Sequence, residues 1–280
     1  MRSVVITGAA GGLGAAACAL LADHGWRVFA ADLPGEALDA VAERSSVVAV
    51  PLDVTDPASV AALAETVADH LAGESGASGG PPGLQGVVNF AGILEVGSVI
   101  EVPPAVAERV LAVNVLGTYR VNQALFPLLL AGRGRIVNIS SETGWQSGGP
   151  FNGVYAMTKH AIEAYSDSLR RELMLLDIPV VKVQPGPFRT SMVHSIEDRF
   201  ERAARASTHF GAVLRRVGRL GAAEEGKAHP PEELAAVVEE ALTAARPRSA
   251  YSVHPAASRV AFERLPTRLG DRLLRAVLRG

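Results

Sequence analysis

Cysteine occurs once in 280 residues, at Cys18, which excludes an intramolecular disulfide framework and any CxxC zinc ribbon. The thiol sits among alanines and leucines, where a buried, inert side chain is the expectation. A reducing compartment, the cytoplasm, follows as the simplest setting. An excess of either charge is also missing: 27 Lys and Arg against 29 Asp and Glu leave a net −2, with no general nucleic-acid footprint. The 7 histidines, His160 beside Lys159 included, show no metal-ligand spacing, so no metal is expected. No internal repeat runs through the chain. A long uninterrupted apolar helix is lacking too. Ser3 to Ala22 carries no charge and loosely imitates a signal peptide or membrane span, but Gly8, Gly11, Gly12 and Gly14 crowd its middle. Glycine costs up to about 1 kcal/mol per position inside a helix, so a strand, a glycine turn and a helix account for the segment better.

What is present is alternation. Short β-branched runs at Val4-Val5-Ile6, Val28–Ala31, Val47–Leu52, Val87-Val88, Ile136–Ile139 and Val180–Val183 are separated by helical stretches, and Tyr251-Ser252-Val253 adds a last candidate strand. Ala15–His24 reads as a helix ending near Gly25, and Asp56-Pro57 opens another. Continuous rather than alternating apolar runs indicate strands covered on both faces, hence an α/β fold with a parallel sheet. The 48% hydrophobic content suits one domain across 1–280 with a substantial core. Gly73–Gly83 (GESGASGGPPG) interrupts this pattern as a mobile surface loop rather than a domain linker, because the alternation continues beyond it. Charge is unevenly placed: residues 1–188 hold 11 basic and 18 acidic side chains, and residues 189–280 hold 16 and 11. The last third therefore faces something the rest does not: an anionic substrate, a partner chain or a membrane surface.

The turn Thr7-Gly8-Ala9-Ala10-Gly11-Gly12-Leu13-Gly14 joins the first strand to the first helix. Glycines allow backbone to approach a pyrophosphate, and a helix N-terminus offers N–H donors and a positive dipole end. Asp32 closes the second strand 24 residues after Gly8, near the offset at which a carboxylate holds a ribose 2′-hydroxyl. A carboxylate there repels a 2′-phosphate, which favours NAD(H) over NADP(H). The ordinary alternative is a turn aspartate before Leu33-Pro34-Gly35.

With the TGxxxGxG spacing of Thr7–Gly14, the further landmarks Asp53-Val54, Asn89-Phe90-Ala91-Gly92, Asn114, Ser140-Ser141, Tyr155-Ala156-Met157-Thr158-Lys159 and Pro185-Gly186 fall in one order. Over about residues 3–190 the chain resembles the short-chain dehydrogenase/reductase family. That resemblance implies a single Rossmann-type, doubly wound parallel sheet with helices on both faces. It also implies cofactor contacts from Gly8, Gly12, Leu13, Gly14, Asp32, Asp53, Val54, Asn89, Ala91, Gly92, Tyr155, Lys159, Pro185, Gly186, Phe188 and Thr190. In it, Asp53 and Val54 meet the adenine, Asn89–Gly92 the ribose side, and Phe188 and Thr190 the nicotinamide end. Phe90 stands where the family has a second asparagine that braces the sheet, which puts local stability in question.

The same resemblance implies a catalytic set of Asn114, Ser141, Tyr155 and Lys159. Tyr155 and Lys159, four apart, share one helix face. A phenol ionises near pH 10, and a neighbouring ammonium with a cationic nicotinamide would lower that value enough for a base. Ser141, with Ser140 as competitor, would orient the substrate oxygen, and Asn114 would hold a water in a proton relay. The Ser141–Tyr155 interval is one residue longer than in many members; either the loop Trp145–Asn152 absorbs it or the serine lies elsewhere.

Substrate choice is expected from a lid over about 191–226, with Met192, Val193, Ile196, Phe200, Phe210, Val213 and Leu214 facing the pocket or packing within their helices. Pro150–Tyr155 is similar to the steroid and retinol branch, which implies a bulky apolar alcohol or ketone. Residues 265–280 form a candidate basic amphipathic helix, with Arg268, Arg272, Arg275 and Arg279 on one stripe and Leu269, Leu273 and Val277 on another. Packing on its own domain or a partner subunit is favoured over a membrane surface. The expected enzyme is a cytoplasmic homodimer or homotetramer. Two other readings stay open: a reductase of carrier-bound 3-oxoacyl chains, and a non-catalytic NAD-sensing or scaffolding protein.

Overall fold

The computed structural model describes residues 1–74, 83–190, 196–225 and 228–279. Seven strands, β1 (Arg2–Thr7), β2 (Trp26–Asp32), β3 (Val47–Pro51), β4 (Gly86–Asn89), β5 (Arg135–Ile139), β6 (Val180–Pro185) and β7 (Ala250–Val253), form one sheet in the order β3-β2-β1-β4-β5-β6-β7. Every pairing is parallel, from Val4↔Val28 between β1 and β2 to Val183↔Tyr251 between β6 and β7. This is the doubly wound, Rossmann-type α/β arrangement expected from the apolar runs.

Burial on both faces explains those runs. On one face Val4, Ile6, Val28, Val88 and Val181 pack against α1 (Gly12–Asp23) and α9 (Pro231–Thr243). On the other, Val5, Phe29, Val87, Ile136 and Val180 meet α3 (Pro57–Glu74) and α5 (Thr118–Gly132). Side chains alternate across a strand, so neighbouring valines feed opposite cores, each contributing about 1.5–3 kcal/mol when fully buried. The Asp56 carboxylate accepts from the Ala58 N–H, capping α3 ahead of Pro57 as anticipated. Cys18 lies fully buried in α1, and burial pushes its thiol up to about 12. Most of the glycine-rich stretch read as a mobile loop, 75–82, lies outside the described residues.

Strand order reverses between β1 and β4, and the crevice at such a switch point opens at the carboxyl ends of the strands. Three additions roof it: the pair α7 (Ile196–Ala206) and α8 (Gly211–Glu225), then α10 (Ala257–Phe262), then α11 (Thr267–Arg279). The remaining helices are α2 (Glu36–Val41), α4 (Pro104–Leu111) and α6 (Gly153–Leu173). A π-helical turn, Ala112–Gly117, joins α4 to α5.

Candidate active site

A cavity of about 1300 Å³ occupies the crevice. One part of its wall is the turn between β1 and α1. Gly8 adopts φ +68°, and a side chain there would lie 2.6 Å from the Ala91 nitrogen; one on Gly14 would collide with the Gly8 carbonyl oxygen. Only glycine allows backbone to pack this closely on backbone. Helix α1 starts from Gly11 with no side-chain cap and no acidic residue in its first turn, so its N-terminal N–H groups face the turn with the positive dipole end intact. Thr190 stands across from Gly12, and both line the cavity. These features fit a dinucleotide pyrophosphate.

Asp32, Asp53 and Val54 line the same region with Leu13, Ala91, Gly92, Pro185, Gly186 and Phe188. Asp32 has a second task that the sequence did not disclose. Its carboxylate accepts the Ala10 N–H at 2.8 Å and the Leu33 N–H at 2.8 Å, tying the glycine turn to the end of β2. A carboxylate offers about four acceptor positions, so two remain for a ribose hydroxyl. Asp53 accepts from the Thr55 hydroxyl at 2.7 Å and its N–H at 2.8 Å, bonds that hold its pKa below the ordinary carboxylate value.

Asn89 departs from expectation. It is 3% exposed and does not reach the cavity. Its amide donates to Asn122 at 2.7 Å and to Asn138 at 3.0 Å, and Asn138 in turn donates to Ser166 at 2.9 Å. Strand alternation explains this: Asn89 points into the α5/α6 side of the sheet, and the cavity wall passes to Phe90. The sheet brace thought lost at Phe90 is therefore supplied by Asn89.

Ser141, Tyr155 and Lys159 share the cavity wall. Ser141 follows β5 and caps a short 3₁₀ turn, accepting from the Thr143 N–H at 3.2 Å, and its hydroxyl acts on the Tyr155 phenol to favour the ionised form. Ser140 instead directs its hydroxyl to the Lys159 carbonyl. The long interval is taken up in the loop, which turns at Phe151 (φ +65°); the Gly97 N–H fixes that residue's carbonyl at 2.8 Å. Lys159 lies one turn beyond Tyr155 in α6, with Nζ 5.5 Å from the ring centre and donating to the Ile139 carbonyl at 2.9 Å.

Burial among the walls raises Tyr155 to about 12, against the lowering effect of Ser141, and depresses Lys159 to about 8, against Glu163. The expected phenolate is thus not held by the amine alone. Lys159 is bonded elsewhere, and desolvation is the largest influence on both groups.

Asn114 stands behind the wall. Its amide accepts the Ile93 N–H at 2.8 Å and donates to the Ile93 carbonyl at 2.9 Å and to Thr158 at 3.0 Å. Both donors are used within the protein, and through them this side chain positions the Gly92–Ile93 wall against α6.

The roof is largely apolar. Ile196, Phe200, Leu220, Phe262, Leu273 and Val277 line it. Among the anticipated lid residues, Phe210, Val213 and Leu214 do not reach the cavity; Leu214 packs with Phe200 and Val96, and the Phe210 ring lies 5.5 Å from that of Phe151, tilted by 59°. Met192 and Val193 lie outside the described residues. Helix α11 covers the cavity and is anchored where Arg216 on α8 donates to the Leu278 carbonyl at 3.0 Å. Two carboxylates that the sequence gave no reason to single out tie this roof to the serine loop. Glu142, 7% exposed, accepts from the Ala256 N–H at 2.8 Å and from Arg259 at 3.3 Å. Glu263 accepts from both the N–H and the hydroxyl of Ser147.

Residues 2–200 match the family model described as short chain dehydrogenase. The chain belongs to the short-chain dehydrogenase family. Within it, similarity runs to the steroid and retinol branch. The chain is 33% identical to human 17-beta-hydroxysteroid dehydrogenase type 6, the match covering 98% of this chain and 87% of that protein. It is 32% identical to mouse retinol dehydrogenase 16, again over 98% of this chain and 87% of the relative. A solved short-chain dehydrogenase from Streptomyces avermitilis superposes with a TM-score of 0.75 at 26% identity, covering 99% of this chain and 95% of that one. As a member of this family the protein is an oxidoreductase of the kind that uses a nicotinamide dinucleotide. Among its described residues no helix is long and apolar enough to cross a membrane.

Proposed function

We propose that this short-chain dehydrogenase interconverts a bulky, apolar secondary alcohol and its ketone with NAD(H). The observation that carries this reading is the meeting of Ser141, Tyr155 and Lys159 on one wall of a large cavity whose roof is apolar. Two hydroxyls placed side by side can bracket one substrate oxygen, and Thr143 holds the serine in position for it. The cavity, about 1300 Å³, exceeds the 300–1,000 Å³ of an ordinary ligand site, leaving room for a dinucleotide and a large substrate together.

A bound nicotinamide would supply the hydride acceptor or donor and, when oxidised, a positive charge in the cavity. Tyr155 takes the alcohol proton in oxidation and returns it in reduction. Ser141 orients the substrate oxygen and stabilises charge developing on it. Lys159 places a cation 5.5 Å from the phenol ring and, with a pKa near neutrality, exchanges protons readily. Asp32 favours the unphosphorylated ribose. The similarity to steroid and retinol dehydrogenases supports a rigid or extended hydrocarbon substrate. Assembly through the long helices α5 and α6, which leave Leu116, Tyr119 and Met157 exposed at or near them, belongs to the same reading, as does a reducing, cytoplasmic setting for the lone thiol.

The test is turnover of a panel of steroids, retinoids and small secondary alcohols by the wild type and by Tyr155→Phe, with dinucleotide affinity measured in parallel. Preserved NADH binding with turnover reduced by about 10²–10⁴ is expected. Undiminished turnover would remove Tyr155 from its role.

A further inference from the structure

His229, Glu233 and His254 meet outside the cavity, on the far side of Phe188. They come from separate places: the segment before α9, the first turn of α9 and the residue after β7. His254 Nε2 is 2.6 Å from Glu233 Oε2, and His229 Nδ1 is 3.5 Å from the same oxygen. The two imidazoles stack with centroids 3.7 Å apart and planes 2° from parallel. One donor atom from each of the three residues lies within 4.8 Å of the other two. Local spacing could not show this, because only His229 and Glu233 are close in sequence, and His229 precedes the helix that carries Glu233.

The backbone holds both histidines firmly. His229 pairs with the strand leaving β6, its N–H donating to the Pro187 carbonyl at 3.0 Å while its carbonyl accepts from Arg189 at 2.9 Å. His254 sits at φ +51°, a left-handed conformation uncommon for a side-chain-bearing residue. Its carbonyl is pressed so closely on Gly186 that no side chain fits there. Such a conformation persists where surrounding structure enforces it, and it often marks a working site. Here it brings the second ring onto the first and both nitrogens to one carboxylate oxygen.

We propose that His229, Glu233 and His254 bind a divalent transition-metal ion of borderline softness, zinc being the first candidate. Two imidazole nitrogens and one carboxylate are a donor set such ions favour. A shared cation satisfies both rings and the carboxylate at once. Reaching metal–nitrogen lengths of about 2.0–2.1 Å requires each ring to tilt about its Cβ–Cγ bond, a soft torsion. The side chains are 37–44% exposed, so water completes the coordination. Both rings lie about 6 Å from the Phe188 ring, which lines the cavity. The ion is therefore a clip across β6, β7 and α9 rather than a participant in hydride transfer.

The experiment uses the full chain, stripped with chelator and titrated with ZnCl₂ by calorimetry, and with Co²⁺ followed by its visible ligand-field bands. One ion per chain, a rise in Tm on zinc addition and cobalt bands of low coordination number are expected. His229→Ala and Glu233→Gln should each weaken zinc binding by tenfold or more. His254→Gly accepts the left-handed backbone, keeps the fold by circular dichroism and should abolish the cobalt bands. No saturable zinc binding up to millimolar concentration would overturn the proposal. So would binding that survives the His229→Ala/His254→Gly double variant.

Discussion

The Lys159 ammonium lies 5.5 Å from the centre of the Tyr155 ring yet spends a 2.9 Å hydrogen bond on the Ile139 carbonyl. The two groups are neighbours without being an ion pair. Each pKa is displaced so as to favour that group's own neutral form, and the largest cause is the same, loss of water.

That displacement has a definite sign in stability. A lysine whose folded pKa lies below its unfolded value binds fewer protons when folded, so stability from Lys159 rises with pH between about 8 and 10.5. Tyr155, raised from 10.0 to about 12, makes stability fall across that higher window. Urea midpoints of Lys159→Met should overtake the wild type near pH 7 and lose that lead as pH approaches 10.5. The change is about 3 kcal/mol at most. A pH-independent difference would show that Lys159 is not desolvated.

Asp32 carries two loads, and one substitution separates them. Asp32→Asn removes the charge that repels a 2′-phosphate, so the ratio of NADPH to NADH affinity should rise by tenfold or more, measured by fluorescence titration. It also weakens the acceptor for the Ala10 and Leu33 N–H groups, and hydrogen bonds to charged groups contribute about 1.5–3 kcal/mol. A falling Tm should accompany the change in preference.

Asn89 tests the division between brace and wall. Asn89→Ala should lower stability by about 1–3 kcal/mol in urea unfolding, because Asn122 and Asn138 lose their donor in a buried network. Affinity for NADH should stay within about twofold. A large loss of affinity without destabilisation would return Asn89 to the cofactor wall.

The carboxylates joining roof to serine loop should act on substrate more than on cofactor. Glu263→Gln weakens the clasp on Ser147, and Arg259→Met releases Glu142. Each is expected to raise KM for a bulky substrate severalfold with NADH affinity unchanged. Equal loss for a bulky and a small alcohol would argue against a role in holding the roof.

Much of this was legible in the sequence, and the reasons are physical. Runs of valine and isoleucine state their own burial, so the first six strands and the parallel class were readable, while the mixed Tyr251-Ser252-Val253 offered only a candidate for the seventh. Glycines at 8 and 14 announce a backbone too close for side chains. Tyr155 and Lys159 declare a shared helix face by spacing alone. Contacts between distant segments were silent: nothing local to Glu142 speaks of Arg259, nor to His229 of His254. Asn89 misled because a motif gives position but not which side of the strand faces the cavity. The partners of Asn114 were not legible, because an amide's bonds are chosen by the fold, here by the backbone at Ile93. Protonation was the least legible. A lysine beside a tyrosine suggests an anion, and only the depth of the site reverses the inference.

Cys18 lies sealed under α1 with its thiol pushed up to about 12, and it is the chain's one sulfhydryl. Buried thiols of that kind resist alkylation. A cysteine introduced on α11 would then be the sole reactive handle, and a dye attached there would report roof opening without background labelling.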